Sequence, residues 1–143
     1  MNANRFGRPG LTLIELLVCT VIIGILSMTA LPLSKHFVRS QKEDLLKEAL
    51  RDLREAIDRH YDKMQRRAPE LPEEQKYPSR LQSLLESRSI RRIPLDPFTG
   101  RREWGTRSST DPVNASYTDG MNIFDVYSLA TATALDGRAY SDW

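Results

Sequence analysis

Apolar residues are distributed in two different patterns along the first half of this chain. Residues 11–33 form an apolar run that is broken by one acid, Glu15. Residues 35–67 are highly charged, but apolar side chains recur there at spacings of three and four, at Leu46, Ala49, Leu50, Leu53, Ala56, Ile57, Tyr61 and Met64. Such spacing predicts an amphipathic helix. We therefore expect one long helix from Leu13 to about Arg66, apolar in its first half and striped in its second half.

Shorter elements are predicted after this helix. Two prolines within residues 68–72 cannot continue a helix, so a loop is expected as far as Pro78. Ser79 and Gln82 have the spacing of a capping box, which predicts a short helix carrying Leu81, Leu84 and Leu85. Aromatic and β-branched residues favour short strands at 102–104 and 124–128. The predicted fold class is α+β, with the outer half of the long helix packed on a small antiparallel sheet.

The apolar run is long enough to cross a membrane. As a helix it measures roughly 35 Å, which exceeds the hydrocarbon core of a bilayer. A charge at mid-membrane costs about 2.5 to 3.5 kcal/mol and is normally kept only where it has a partner and a role. The sequence therefore makes Glu15 a candidate functional residue.

The segment before the run suggests what that partner is. Residues 1–10 carry Arg5 and Arg8, no acid, and turn-forming residues that suit an extended protease substrate. Cleavage after Gly10 would make Leu11 the new N-terminus, and its α-amine, with a reference pKa of about 7.7 to 8.0, would be mostly cationic. Glu15 would then lie one helical turn away from that amine.

Composition limits the classes of function. A net charge of +2 argues against a dedicated nucleic-acid surface. The single cysteine, Cys19, excludes an intrachain disulfide. His36 and His60 have no cysteine or second histidine at ligand spacing, and the sequence has neither a nucleophile elbow nor a glycine-rich phosphate loop. We therefore predict no catalytic residues and no enzymatic activity.

Three ordinary interpretations compete for the N-terminus. A secretory signal peptide ends in a small-x-small cleavage site, for which residues 27–30 are a poor match, and it has no use for Glu15. A lipoprotein signal needs a small residue directly before its cysteine, whereas Val18 precedes Cys19. A plain membrane anchor is the strongest alternative, but it does not explain the spacing of Gly10 and Glu15.

On these residues the chain resembles the type IV pilin-like proteins with class III signal peptides. The resemblance rests on Gly10, the sequence Leu11-Thr12-Leu13-Ile14-Glu15, the apolar helix, and Pro32 near the end of that helix. It implies that a prepilin peptidase cuts after Gly10 and methylates the amine of Leu11, where most members have phenylalanine. It also implies that Glu15 neutralises the amine of a neighbouring subunit, and that the helix near Pro32 is locally unwound in filaments.

The second half resembles the major pseudopilins of type II secretion systems, through Tyr77-Pro78, Ile93-Pro94-Leu95-Asp96-Pro97-Phe98, Phe124-Asp125-Val126-Tyr127-Ser128 and Trp143. This implies a pilin-like fold with three parts: a leader at 1–10, a transmembrane and assembly helix at 11–34, and a periplasmic domain at 35–143. The implied function is a structural subunit of a periplasmic pseudopilus, anchored by a single pass in the bacterial inner membrane. The implied partners are copies of the chain in a helical filament, the prepilin peptidase, other pseudopilins and inner-membrane assembly components. The alternatives are a type IV pilus or competence pilin subunit, or a membrane-anchored envelope binding module.

The same resemblance implies a calcium site near the C-terminus. Its ligands would be Asp136 and Asp142 with backbone carbonyls near Ser128 and Leu129, since Ca²⁺ takes six to eight oxygen ligands. One aspartate expected soon after residue 128 is missing, and Thr131 or Thr133 would have to replace it. Asp136-Gly137 is also compatible with an ordinary turn.

Overall fold

The computed structural model describes residues 10–112 and 117–143, and for residues 29–34 it describes the backbone without the side chains. The predicted leader therefore lies outside the described residues, apart from Gly10. The chain forms two compact units, residues 1–39 and residues 40–143.

Helix α1 spans Leu13–Arg67 and contributes to both units. It begins where predicted because the Thr12 hydroxyl accepts the Glu15 backbone N–H at 3.2 Å, which satisfies one of the free donors of the first turn. It ends two residues before Pro69, as the loss of a backbone donor there requires. The helical backbone includes residue 32, whose side chain lies outside the description. Unwinding near Pro32 within filaments stays a prediction.

The unit of residues 40–143 is small and mixed. It contains helices α2 (Glu73–Lys76) and α3 (Leu81–Glu86), strands β1 (Gly105–Arg107) and β2 (Asp125–Tyr127), and a 3₁₀ turn at Tyr140–Asp142. The two strands form an antiparallel sheet in which Gly105 lies opposite Tyr127. A long N-terminal helix with a small antiparallel sheet is confirmed, and it is consistent with a pilin-like fold.

The predicted stripe of helix α1 forms the core of this unit. Its residues from 46 to 57 are at most 6 % exposed, and they pack with side chains from the rest of the unit, including Leu84, Ile93, Trp104, Ile123, Val126, Ala134 and Tyr140. Tyr61 and Met64 continue the stripe but are only half-buried. The helical periodicity therefore predicted the buried face correctly.

Three local predictions were wrong. The first strand begins at Gly105 and not at 102; Trp104, just before it, is buried in the core, where its indole N–H donates to the Pro94 carbonyl at 3.1 Å. A Cβ at Gly105 would lie 2.3 Å from the Tyr127 ring, so this pairing requires glycine. Helix α3 is preceded by Arg80 without a side-chain cap, so Ser79 is not the N-cap. Helix α2 interrupts the stretch that was predicted to be a loop.

Candidate functional site

The N-terminal half of helix α1 presents an apolar surface that nothing in the described chain covers. Every large apolar residue from 11 to 28 is exposed, with fractions between 46 % at Val18 and 85 % at Leu13. The polar side chains among them are satisfied locally, since the hydroxyls of Thr20 and Ser27 donate to carbonyls four residues earlier in the helix. Burying this surface in an apolar environment would therefore be favourable and would leave neither of these hydroxyls without a hydrogen bond.

The predicted membrane span at 11–34 is not shown by the structure. In the part of the chain that the structure describes, no helix is both long enough and apolar enough to cross a membrane.

Glu15 lies in the first turn of helix α1, on this exposed surface. A carboxylate is favourable at a helix N-terminus by about 0.3 to 1 kcal/mol. Within residues 10–112 and 117–143, no donor is hydrogen-bonded to the Glu15 carboxylate, and the Thr12 hydroxyl caps the turn instead. The carboxylate is therefore available to a cation from another chain.

The predicted cleavage point precedes the helix. Gly10 and Leu11 lie outside regular structure, and Leu11 is 74 % exposed. An added Cβ at Gly10 would meet no atom within 4 Å among the described residues. The fold therefore leaves the bond between these residues open to a protease.

The predicted calcium ligands lie in a different environment. Both Asp136 carboxylate oxygens accept bonds from Arg138: one from its backbone N–H at 3.0 Å, the other from its guanidinium at 2.8 and 2.9 Å. These backbone and side-chain hydrogen bonds from Arg138 lower the pKa of Asp136. The Ser128 hydroxyl donates to the buried Asp96 at 2.6 Å, and Leu129 is exposed.

These residues fit a metal ion poorly. A cation at Asp136 would have to displace the Arg138 guanidinium, which already neutralises the carboxylate. Asp142 lies in the 3₁₀ turn, where one oxygen accepts a bond from Ser141. Across the described ranges, no three His, Cys, Asp or Glu side chains come together as a metal site. Calcium binding at Asp136 and Asp142 stays a prediction.

Two polar residues that were not predicted from the sequence fasten helix α1 to the C-terminus. Glu43 is buried and accepts the Leu135 backbone N–H at 2.8 Å and the Tyr140 hydroxyl at 2.9 Å. The Lys47 ammonium, one turn later on the helix, lies 4.7 Å from the Trp143 ring centroid. The missed signal was spacing, because Glu43 lies three residues before Leu46 on the apolar stripe.

Arg54 is the second of these residues. Its guanidinium donates to the Asp125 carboxylate at 2.7 Å and to the Trp143 carbonyl at 2.7 Å. It thereby connects helix α1, strand β2 and the last residue described. No spacing in the sequence indicates this contact, since the partners lie 71 and 89 positions away.

Comparison with known proteins supports the N-terminal part of this interpretation. Residues 5–31 match the prokaryotic N-terminal methylation motif. The match includes Gly10, Leu11 and Glu15, and it indicates a type IV pilin-like precursor that a prepilin peptidase processes. No curated protein and no solved structure matches the chain significantly.

Proposed function

We propose that this chain is a structural subunit of the periplasmic pseudopilus of a type II secretion system. The observation that carries the proposal is the methylation motif at 5–31, with Gly10 exposed before helix α1 and Glu15 in its first turn. The chain itself performs no chemistry; it is a substrate of the prepilin peptidase and then a building block of a fibre.

The mature subunit would use both ends of its first turn. Cleavage after Gly10 and methylation make Leu11 an N-terminal cation, which Glu15 of a neighbouring copy neutralises. The amine and the carboxylate then enter an apolar surrounding as a pair, which avoids burying either charge alone. Before assembly the exposed apolar surface of residues 11–28 lies in the inner membrane; after assembly other copies cover it.

Two features favour a pseudopilus over an adhesive pilus. The globular domains of adhesive pilins usually carry a disulfide, whereas the cysteine count here rules one out. The fastening of helix α1 to the C-terminus is made instead by Glu43 and Arg54. The resemblance at Asp96-Pro97-Phe98 supports the same subgroup; in the structure the Asp96 carboxylate accepts the N–H groups of Phe98 and Thr99 at this turn.

Processing is the first test. Co-expression of the full chain with a prepilin peptidase is expected to remove ten residues and leave an N-methylated Leu11, as measured by mass spectrometry of the N-terminus. Gly10→Val should block cleavage because its side chain fills the position that the protease must approach, while Gly7→Val serves as the matched control. An intact leader, or a cut near Ala30, contradicts the proposal.

A second test separates the pseudopilus from the pilus and competence alternatives. Deleting the gene in its own host is expected to stop the release of secreted proteins into the medium and to leave surface pili present. Loss of pili or of DNA uptake with normal secretion would favour the alternatives instead.

A further inference from the structure

An open groove of about 670 Å³ lies in the unit of residues 40–143, beside helix α1 and the segment that follows helix α3. Its charged lining consists of five arginines and one acid, Asp52; the arginines are Arg59, Arg88, Arg91, Arg92 and Arg102. Ile90, Pro94 and Leu95 add apolar surface. We call this surface the arginine groove.

Three of its arginines have no partner in the described chain. Arg59 donates to the Ser89 carbonyl at 3.2 Å and to Glu55 at 3.3 Å, and Arg102 donates to the Ile93 carbonyl. The guanidinium groups of Arg88, Arg91 and Arg92 are exposed and make no hydrogen bond or ion pair with any described residue. A guanidinium presents its donors in a planar fork that fits carboxylates. The groove therefore has unused capacity for carboxylates.

The backbone at Arg88 is a second, independent observation. Arg88 has φ 52°, and it is the one non-glycine residue with positive φ among those described. At the end of helix α3 the Arg88 N–H donates a hydrogen bond to the Leu85 carbonyl at 3.0 Å. The Ser89 N–H donates to the Leu84 carbonyl at 2.9 Å. This helix ending strongly favours glycine. An arginine that is held in a disfavoured conformation at the edge of a groove points to a use for its side chain.

A complementary surface lies elsewhere on the same chain. The segment of residues 69–74, a loop that runs into the first turn of helix α2, carries Glu70, Glu73 and Glu74, which are all exposed and form no ion pair within the described ranges. Glu73 receives a single long bond, from the Tyr61 hydroxyl at 3.4 Å. Two prolines in this loop restrict its backbone, so little conformational entropy is lost when it binds. We call this segment the acidic loop.

We propose that the arginine groove of one copy binds the acidic loop of a second copy. Three guanidinium groups would meet three carboxylates that form no ion pair in the described chain, and Leu71 of the loop would face the exposed Leu95 of the groove. Because the two surfaces differ, the contact is heterologous, so a pair of copies keeps one free groove and one free loop to which further copies can add. The inference rests on the proposed filament and adds a specific contact to it.

Cysteine crosslinking of the full chain tests this contact. Two differently tagged copies are co-expressed with the prepilin peptidase, both carrying Cys19→Ser, one with Leu71→Cys and the other with Leu95→Cys. These substitutions leave all six charges in place. A disulfide-linked pair of the two tagged copies is the expected result.

Charge reversal decides whether the arginines cause the contact. Arg91→Glu with Arg92→Glu in the Leu95→Cys copy should lower the crosslink yield by about tenfold or more, because like charges then face each other. Glu70→Lys with Glu73→Lys in the Leu71→Cys copy should restore it. Arg88→Gly should weaken the crosslink while keeping or raising the melting temperature, since glycine suits this backbone. Arg51→Glu, on helix α1 outside the groove, is the matched control and should have no effect.

The outcomes separate this inference from the proposed function. If the copies with natural charges form fibres that sediment normally but give no crosslink between positions 71 and 95, the groove contact alone is overturned. A crosslink that does not respond to reversal, or that joins Leu95→Cys to another protein, overturns it as well. Processed copies that form the crosslink without forming fibres would support the contact and contradict the filament.

Discussion

The two halves of helix α1 differ in how far their apolar side chains are exposed. Between residues 46 and 57 the apolar stripe is at most 6 % exposed, because the rest of the unit of residues 40–143 packs against it. Between residues 11 and 28 each large apolar side chain is at least 46 % exposed. Helical structure is the same in both segments, so the difference lies in what covers them.

The difference shows how one helix can serve both the folding of a single copy and an interaction beyond that copy. The striped half completes its core within a single copy, whereas the apolar half gains its stabilisation from surroundings that the chain does not supply. The striped half of the helix has a polar face because one of its sides meets solvent. The N-terminal half needs no polar face.

Removing the acid of the exposed half should have the largest effect. Glu15→Gln is expected to leave cleavage after Gly10 intact and to abolish assembly, because each added subunit would bury an unpaired ammonium at a cost of several kcal/mol. Sedimentation of fibres and crosslinking between subunits measure this. Glu48→Gln, an exposed glutamate in the striped half, is the control, and undiminished fibres in Glu15→Gln would contradict the pairing.

Alanine substitutions compare the two halves directly. Leu53→Ala removes a fully buried side chain and is expected to lower the free energy of unfolding by about 2 to 5 kcal/mol. Leu17→Ala, at a side chain that is 51 % exposed, should change it by less than about 0.5 kcal/mol. Urea unfolding in detergent, followed by the fluorescence of Trp104 and Trp143, measures the effect of each substitution on the folded unit of residues 40–143. Equal losses would remove the contrast.

Glu43 extends the test to a polar member of the striped half. Glu43→Ala leaves the Leu135 N–H and the Tyr140 hydroxyl without this acceptor, which should cost about 1 to 3 kcal/mol. Glu43→Gln keeps an acceptor and should cost less. Asp44→Ala, at an exposed neighbour, is the control for the same urea experiment, and a cost no larger than that of Asp44→Ala would show that the buried contacts are unimportant.

Adding calcium tests whether the C-terminal residues that pack on the striped half need a metal ion. Arg138 competes for the Asp136 carboxylate, so we expect calcium to raise the melting temperature less in the natural chain than in Arg138→Gln. Asp136→Asn should remove the response in both backgrounds. Melting curves in calcium and in chelator are the measurement, and a large response in the natural chain that Arg138→Gln does not increase would contradict competition.

The smallest expected effect is a pH dependence at the far end of the stripe. Burial, followed by the Lys63 charge, lowers the pKa of His60, whose ring lies 3.0 Å from the Ser87 hydroxyl. The unfolded state then binds the proton more tightly, so His60 contributes stability above its unfolded pKa of about 6.5, which is lost as pH falls toward the lower folded pKa. His60→Gln should flatten the pH dependence of the urea midpoint, whereas exposed His36→Gln should not. An unchanged slope in His60→Gln would contradict this.

Local patterns in the sequence predicted the parts of the fold that local rules determine. Helix α1 and its buried stripe followed from spacing, and the confirmed motif around Gly10 and Glu15 depends on residues only a few positions apart. The shift of strand β1 could not be foreseen, because it depends on the Tyr127 ring lying over Gly105. That contact joins residues 22 positions apart and appears only once the strands pair.

The distant partners of Glu43 and Arg54 were also beyond prediction. Charged helix residues usually face solvent, and the place of Glu43 on the apolar stripe indicates its burial but not its partners. The partners of both residues are contributed by Leu135, Tyr140 and Trp143, which nothing near them in sequence identifies. The candidate site was more predictable than these contacts because its chemistry depends on one short segment.

The Glu43–Tyr140 hydrogen bond also constrains the order of events when the chain is made. Its partners are 97 residues apart, so the C-terminal residues must be synthesised before the buried end of the stripe can close. Contacts of such high sequence separation slow folding. Until they form, a growing chain displays both the apolar stripe and the apolar N-terminal segment. Binding of a chaperone during synthesis would therefore matter most for this late interval.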